Sequence, residues 1–198
     1  MPPIRLENTY IRPSQSNKDM KTLVVVDLQK DFYHPDGSLY VSGAETLPER
    51  IADIIPGFDT VIFSLDWHPY DHCSFVEQGG IWPVHCVQYS EGASLPLSIL
   101  DAAADKKVLF YRKGKNRKKE EYAAFNTVPK EIGKAFAESS TITIAGLCGD
   151  YCVGETVKNL LKMGYGDKLR IGLGYIGSID GGKALDTIIK EYNLKTTL

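Results

Sequence analysis

Apolar residues in this chain come in short runs separated by stretches of helical spacing. The runs are TLVVVD (22–27), DTVIFSLD (59–66), KKVLFYRK (106–113) and TITIAGL (141–147), with a weaker Gly-rich run, LRIGLGYIGSI, at 169–179. Between them lie ETLPERIADII (45–55), in which Pro48 falls early, where a helix tolerates it. Further helices are predicted at 94–104, near 128–138, and over Tyr151–Met163, where Val153, Val157, Leu160 and Leu161 share one face. DGGKALDTIIKEY predicts the last helix. Strands alternating with helices argue for βαβ units and a parallel sheet. One stretch breaks the rhythm. From about residue 67 to 91 the chain is irregular and rich in Gly, Pro, His and Trp. A loop of that length is uncommon unless it binds something.

The polar residues at the ends of the apolar runs carry the next inference. Asp27 ends the first run, Asp66 the second and Lys113 the third, and Cys148 and Cys152 follow the fourth. In parallel α/β sheets ligands bind beyond the carboxyl ends of the strands, so these residues converge on one sheet edge. A thiol in the first turn of a helix sits near the positive end of the macrodipole. That position and a nearby Lys113 ammonium both favour thiolate over thiol. Asp27 can take and return a proton, and the backbone N–H groups of Cys148 and Cys152 offer an oxyanion hole. The alternative at this point is a small buried cysteine, a capping Asp and a surface Lys.

DWHPYDHCSF (66–75) holds two of the chain's four histidines, and His85 follows in WPVHC. Asp66, His68, His72 and His85 together suit Zn, Fe or Mn. Cys73 and Cys86 each follow a candidate His ligand and would favour a closed structural site instead. A polar loop without metal remains the alternative reading.

Bulk properties narrow the field. The 198 residues suffice for one domain, with 43% hydrophobic and 24% charged residues. We read residues 1–20 as a polar N-terminal arm and 21–198 as a single domain. A net charge of −2 gives no reason to expect nucleic-acid or membrane affinity. The basic run RKGKNRKK (112–119) reads as a solvated loop. No window approaches a membrane span or a signal peptide. Four cysteines do not make a disulfide framework at this length, which suits reduced thiols in the cytoplasm.

Several motifs follow one another in order: VVDLQKDF, GSLYVSGA, DWHPYDHCSF, WPVHCVQ, RKG, YAAF and GLCGDYCV. In this order they resemble the nicotinamidases of the isochorismatase-like cysteine hydrolase superfamily. The resemblance runs from about residue 22 to the last helix and weakens after 165. It implies a doubly wound, three-layer αβα sandwich with a mostly parallel central sheet. It also implies hydrolysis of nicotinamide to nicotinic acid and ammonia through a cysteine thioester, in NAD salvage. By motif position Cys152 is the nucleophile, Asp27 the acid/base and Lys113 the third catalytic residue. The same resemblance makes Asp66, His68, His72 and His85 ligands of one divalent metal per chain, with zinc ahead of Fe or Mn. That metal would hold the pyridine nitrogen. Phe32, Trp82 and Tyr122 match ring-contacting positions, and a cis peptide is implied between Leu147 and Cys148. The residues before the nucleophile depart from the Ala-Thr-Asp frequent in relatives, being Cys148, Gly149 and Asp150. The basic loop before Tyr122 leaves that residue's placement open. The nearest rival is a superfamily amidase acting on a carbamoyl or ureido compound, although those branches generally lack the full Asp/His set. A non-catalytic metal-binding scaffold is a more distant one. The sequence leaves the choice of metal, homo-oligomer formation and activity on ring-substituted amides such as pyrazinamide open.

Overall fold

The computed structural model describes residues 19–197. Apart from Asp19 and Met20, the expected polar arm lies outside the described residues. Six strands form one all-parallel sheet: β1 (Lys21–Val26), β2 (Thr60–Asp66), β3 (Lys107–Lys113), β4 (Thr141–Gly146), β5 (Leu169–Ile176) and β6 (Lys195–Thr197). Their order across the sheet is β3-β2-β1-β4-β5-β6. The chain therefore winds outward from β1 in both directions, as a doubly wound sheet does.

Alternation along the central strands supplies two cores at once. Leu23, Val25, Val61 and Phe63 pack on one face, against Leu47 and Ile51 of α2 (Leu47–Ile54) and Ile99 of α3 (Leu97–Ala102). Val24, Val26, Ile62 and Ile144 pack on the other. There they meet Phe136 of α4 (Lys130–Glu138), Val157 of α5 (Gly154–Lys162) and Ile188 of α6 (Lys183–Glu191). Successive side chains of a strand point to opposite faces, so burial on both faces requires the unbroken apolar runs seen in β1 and β2. Two further elements were not expected. One is the single-turn helix Lys30–Tyr33, which we call α1 and which carries Phe32 inward. The other is β6, whose three residues are all exposed.

The predicted helix Tyr151–Met163 begins differently from its pattern. Residues Gly149–Val153 form a wide π turn, and the regular helix starts at Gly154. The Leu147–Cys148 peptide that enters this turn is cis, as the resemblance implied. Gly146 just before it has φ +111°, and a Cβ there would fall 2.1 Å from the carbonyl oxygen of Val26. Only glycine lets β4 approach the end of β1 so closely.

Candidate active site

Strand register brings the polar ends together. Asp66 and Lys113 are cross-strand partners at the ends of β2 and β3, and Val26 pairs with both Ser64 and Gly146. Asp27, one residue past β1, turns out of the strand with φ +45°. Lys113 is fully buried, and its Nζ is shared by three groups. It lies 2.6 Å from Asp66 Oδ1, 2.8 Å from Asp27 Oδ2 and 3.5 Å from Cys152 Sγ. The Asp27 contact is a buried ion pair, in which the Lys113 ammonium offsets the carboxylate charge. Ser64 Oγ donates to the other oxygen at 2.7 Å.

The electrostatics follow from burial and this sharing. Burial opposes the Lys113 ammonium, but Asp27 and Asp66 outweigh it and hold its pKa well above the usual value. Burial also pushes Asp66 up, yet Lys113 and His68 more than reverse it and leave the carboxyl below its ordinary range. Asp27 comes out raised, because burial exceeds the pull of Lys113 and Ser64. The expectation for Cys152 needs correction here. Burial raises the thiol well above its usual value; Lys113 pulls it down, and Asp27 and Asp66 push it up again. Helix position and Lys113 do not by themselves give a resting thiolate, because desolvation disfavours the charged form.

Asp66 also borders a second group. His68 Nε2 lies 3.3 Å from Asp66 Oδ1, and His85 Nε2 lies 3.8 Å from Asp66 Oδ2. The other ring nitrogens donate to backbone carbonyls, His68 Nδ1 to Gly114 at 3.1 Å and His85 Nδ1 to Pro83 at 2.7 Å. In a neutral ring each bond puts the proton on Nδ1 and leaves Nε2, the nitrogen facing Asp66, for a metal. A carboxylate and two such imidazoles fit a divalent metal of the Zn, Fe or Mn kind.

His72 behaves otherwise. Its ring lies 4.2 Å from that of His68, but its Nε2 donates to the Lys119 carbonyl at 3.1 Å and its Nδ1 accepts from Ser74 Oγ at 2.7 Å. A nitrogen that carries a proton has no lone pair for a metal. The structure thus gathers three of the four expected ligand side chains and leaves the fourth turned to the 114–121 loop. Cys86 is buried with its thiol pushed well up by burial, and neither it nor Cys73 joins the metal-competent group among the described residues.

A cleft opens over both groups, lined by Asp66, His85 and Cys152 and by Phe32, Trp82 and Tyr122. Trp82 Nε1 donates to Tyr122 Oη at 3.0 Å, so the basic loop does not displace this tyrosine. Four further wall residues, Leu39, Val41, Tyr151 and Ile179, were not foreseen, nor was the half-buried Glu120, whose carboxyl burial raises. Sequence reasoning also passed over Gln29. Its side chain donates to the carbonyls of Asp66 and Ala93 and accepts from the Asp66 N–H. A fully buried Gln beside a strand end was the available signal.

A parallel sheet with a buried Asp and Lys at the ends of β1 and β3, and a buried Cys in the π turn beyond β4, has the layout of a hydrolase. Residues 21–166 match the isochorismatase domain, and the chain belongs to that family. The nicotinamidase of Saccharomyces cerevisiae is 30% identical over an alignment 206 positions long, gaps included, covering 87% of this chain and 94% of that protein. Among solved structures, PnC1 from L. infantum in complex with nicotinate superposes with a TM-score of 0.79 at 27% identity, covering 90% of this chain and 92% of that one. The pyrazinamidase of Pyrococcus horikoshii in complex with zinc gives 0.75 at 28% identity, covering 89% and 98%.

Proposed function

We propose that this protein is a nicotinamidase: it hydrolyses nicotinamide to nicotinic acid and ammonia by way of a thioester on Cys152. The observation that carries the reading is the shared position of Lys113. It touches Cys152, Asp27 and Asp66, and two of these, Cys152 and Asp66, line one aromatic-walled cleft.

Asp27 takes the thiol proton of Cys152 as the sulfur attacks the amide carbon. Lys113 offsets the charge that passes through the site. In the π turn, Gly149 donates to Gly177, and Tyr151 and Val153 donate to the Cys148 carbonyl. The N–H groups of Cys148 and Cys152 are the donors we assign to the developing oxyanion. Asp27 then gives its proton to the departing ammonia. A water deprotonated by Asp27 attacks the thioester, releasing nicotinate and returning the proton to Cys152.

A divalent metal held by Asp66, His68 and His85 would supply a Lewis acid for the pyridine nitrogen. Zinc is the first choice, given the zinc complex of the Pyrococcus relative. Phe32, Trp82 and Tyr122 bound the ring. For His72 to join as a fourth ligand, its Nε2 must lose the Lys119 carbonyl. With that activity the protein would serve NAD salvage, and the cytoplasm is the compartment we infer for it.

The test is ammonia release from nicotinamide, with and without a chelator, alongside Cys152→Ala. The reading expects loss of turnover in both. An active Cys152→Ala variant overturns the mechanism, and full turnover after verified metal removal overturns the role of Asp66, His68 and His85.

A further inference from the structure

Asp31 lies outside the groups described so far, yet four segments of the site meet on it. Its backbone N–H donates to the Gly92 carbonyl at 3.0 Å, and its own carbonyl accepts from Leu39 at 3.1 Å. Its carboxylate takes two more backbone donors. Oδ1 accepts from Ser38 at 3.2 Å and Oδ2 from Cys86 at 2.7 Å. Two of these segments are walls of the cleft, since Leu39 lines it and Phe32 follows Asp31 directly. A third carries His85.

The Cys86 contact is the informative one. Cys86 is held at φ +45°, a left-handed conformation that side chains with a Cβ adopt at some cost. That conformation aims its N–H at Asp31, while its carbonyl accepts the His68 N–H at 3.0 Å. One strained residue therefore links the backbone of His85 to that of His68, and Asp31 is the acceptor that holds it. Gly92 shows how tightly the carboxylate is seated. A Cβ there would fall 2.1 Å from Asp31 Oδ2.

We propose that Asp31 is a positioning residue for the metal centre. Its carboxylate fixes the left-handed turn at Cys86, and that turn sets the mutual orientation of His68 and His85. It also ties the Phe32 wall to the same point, the two rings of Phe32 and His85 lying 5.5 Å apart. A carboxylate is suited to this because it accepts two backbone N–H groups at once, and charge-assisted bonds of this kind are the stronger ones. The inference rests on the proposed metal centre and goes beyond it in assigning what holds the two imidazoles at their angle.

The experiment uses cobalt(II) as the probe, loaded into the full chain and read by its visible absorption bands and by titration against a chelator. No substrate is involved. Asp31→Ala is expected to weaken cobalt binding by roughly 10- to 100-fold, the usual cost of losing a group that orients a ligand, and to change the bands. Gly92→Ala, which leaves Asp31 in the sequence and displaces its carboxylate, is expected to do the same in weaker form. Asp31→Asn keeps one acceptor oxygen for Cys86 and is expected to restore most of the affinity. A folded Asp31→Ala protein with wild-type affinity and unaltered bands overturns the inference. So does Gly92→Ala with wild-type affinity and bands, which serves where Asp31→Ala does not fold. Equal defects in Asp31→Asn and Asp31→Ala overturn the acceptor role. A wild-type protein that takes up no cobalt sinks the metal centre itself, and this inference with it.

Discussion

Lys113 Nζ lies 2.6 Å from Oδ1 of Asp66, and so it touches the ligand group as well as the nucleophile's surroundings. The two centres of the cleft are thus one electrostatic unit. Asp66 spends one oxygen on an ammonium and both on neighbouring imidazoles, within a buried space.

Replacing Lys113 with Met leaves Asp27 and Asp66 buried without their cation. Breaking a buried pair this way typically costs about 3–5 kcal/mol, which chemical denaturation reads directly. The same change removes a cation that lowers the Cys152 thiol against the push of burial. The pH midpoint for alkylation of Cys152 by iodoacetamide is therefore expected to rise. An unchanged midpoint would remove Lys113 from the nucleophile's control.

Ser64→Ala tests the state of Asp27. The Ser64 hydroxyl bonds the carboxylate and so lowers a pKa that burial raises. Turnover needs the carboxylate form, which is lost as pH falls through that pKa. Without the hydroxyl the pKa goes up, so the acid limb of the kcat profile moves to higher pH. A net hydrogen bond of about 1 kcal/mol predicts a displacement of somewhat under one pH unit. Movement to lower pH would contradict Asp27 as the base.

The three histidines of the cluster are expected to differ in metal affinity. His68→Ala and His85→Ala each remove a nitrogen that faces Asp66, whereas His72→Ala removes a ring whose nitrogens serve Ser74 and Lys119. Zinc titrations against a chromogenic chelator should show the first two losing far more affinity than the third. Equal losses in all three would mean that His72 turns inward to bind.

Gly146→Ala puts a Cβ 2.1 Å from the Val26 carbonyl oxygen in a left-handed region. Backbone carbonyls do not step aside as flexible side chains do. We expect a loss of at least about 2 kcal/mol in urea denaturation, together with reduced kcat because Cys148 and the π turn follow directly.

Much of this was readable in the sequence. The apolar runs that became β1, β2 and β4 are buried on both faces, and such runs carry their own signature. The edge strand β3 kept enough apolar character in VLFY to be seen, even though Phe110 is half exposed. By contrast β6 reads KTT and has no apolar pattern at all. The four-residue α1 is shorter than any helical period can reveal. In the site, Asp27, Asp66, Lys113 and Cys152 were found because strand ends in a parallel sheet share an edge. Two things were not legible. The tautomer of His72 is set by a carbonyl 47 positions away. Burial opposes the Cys152 thiolate, and spacing does not report burial.

The pairing of Asp66 with Lys113 at matching positions on β2 and β3 has a kinetic meaning. Displacing β3 by one residue would bring Arg112 or Gly114 opposite Asp66 and turn every side chain of that strand to the other face. Such a molecule could retain its helices and most of its sheet and still be inert. Regained turnover after unfolding therefore counts molecules whose outermost strand has locked in frame.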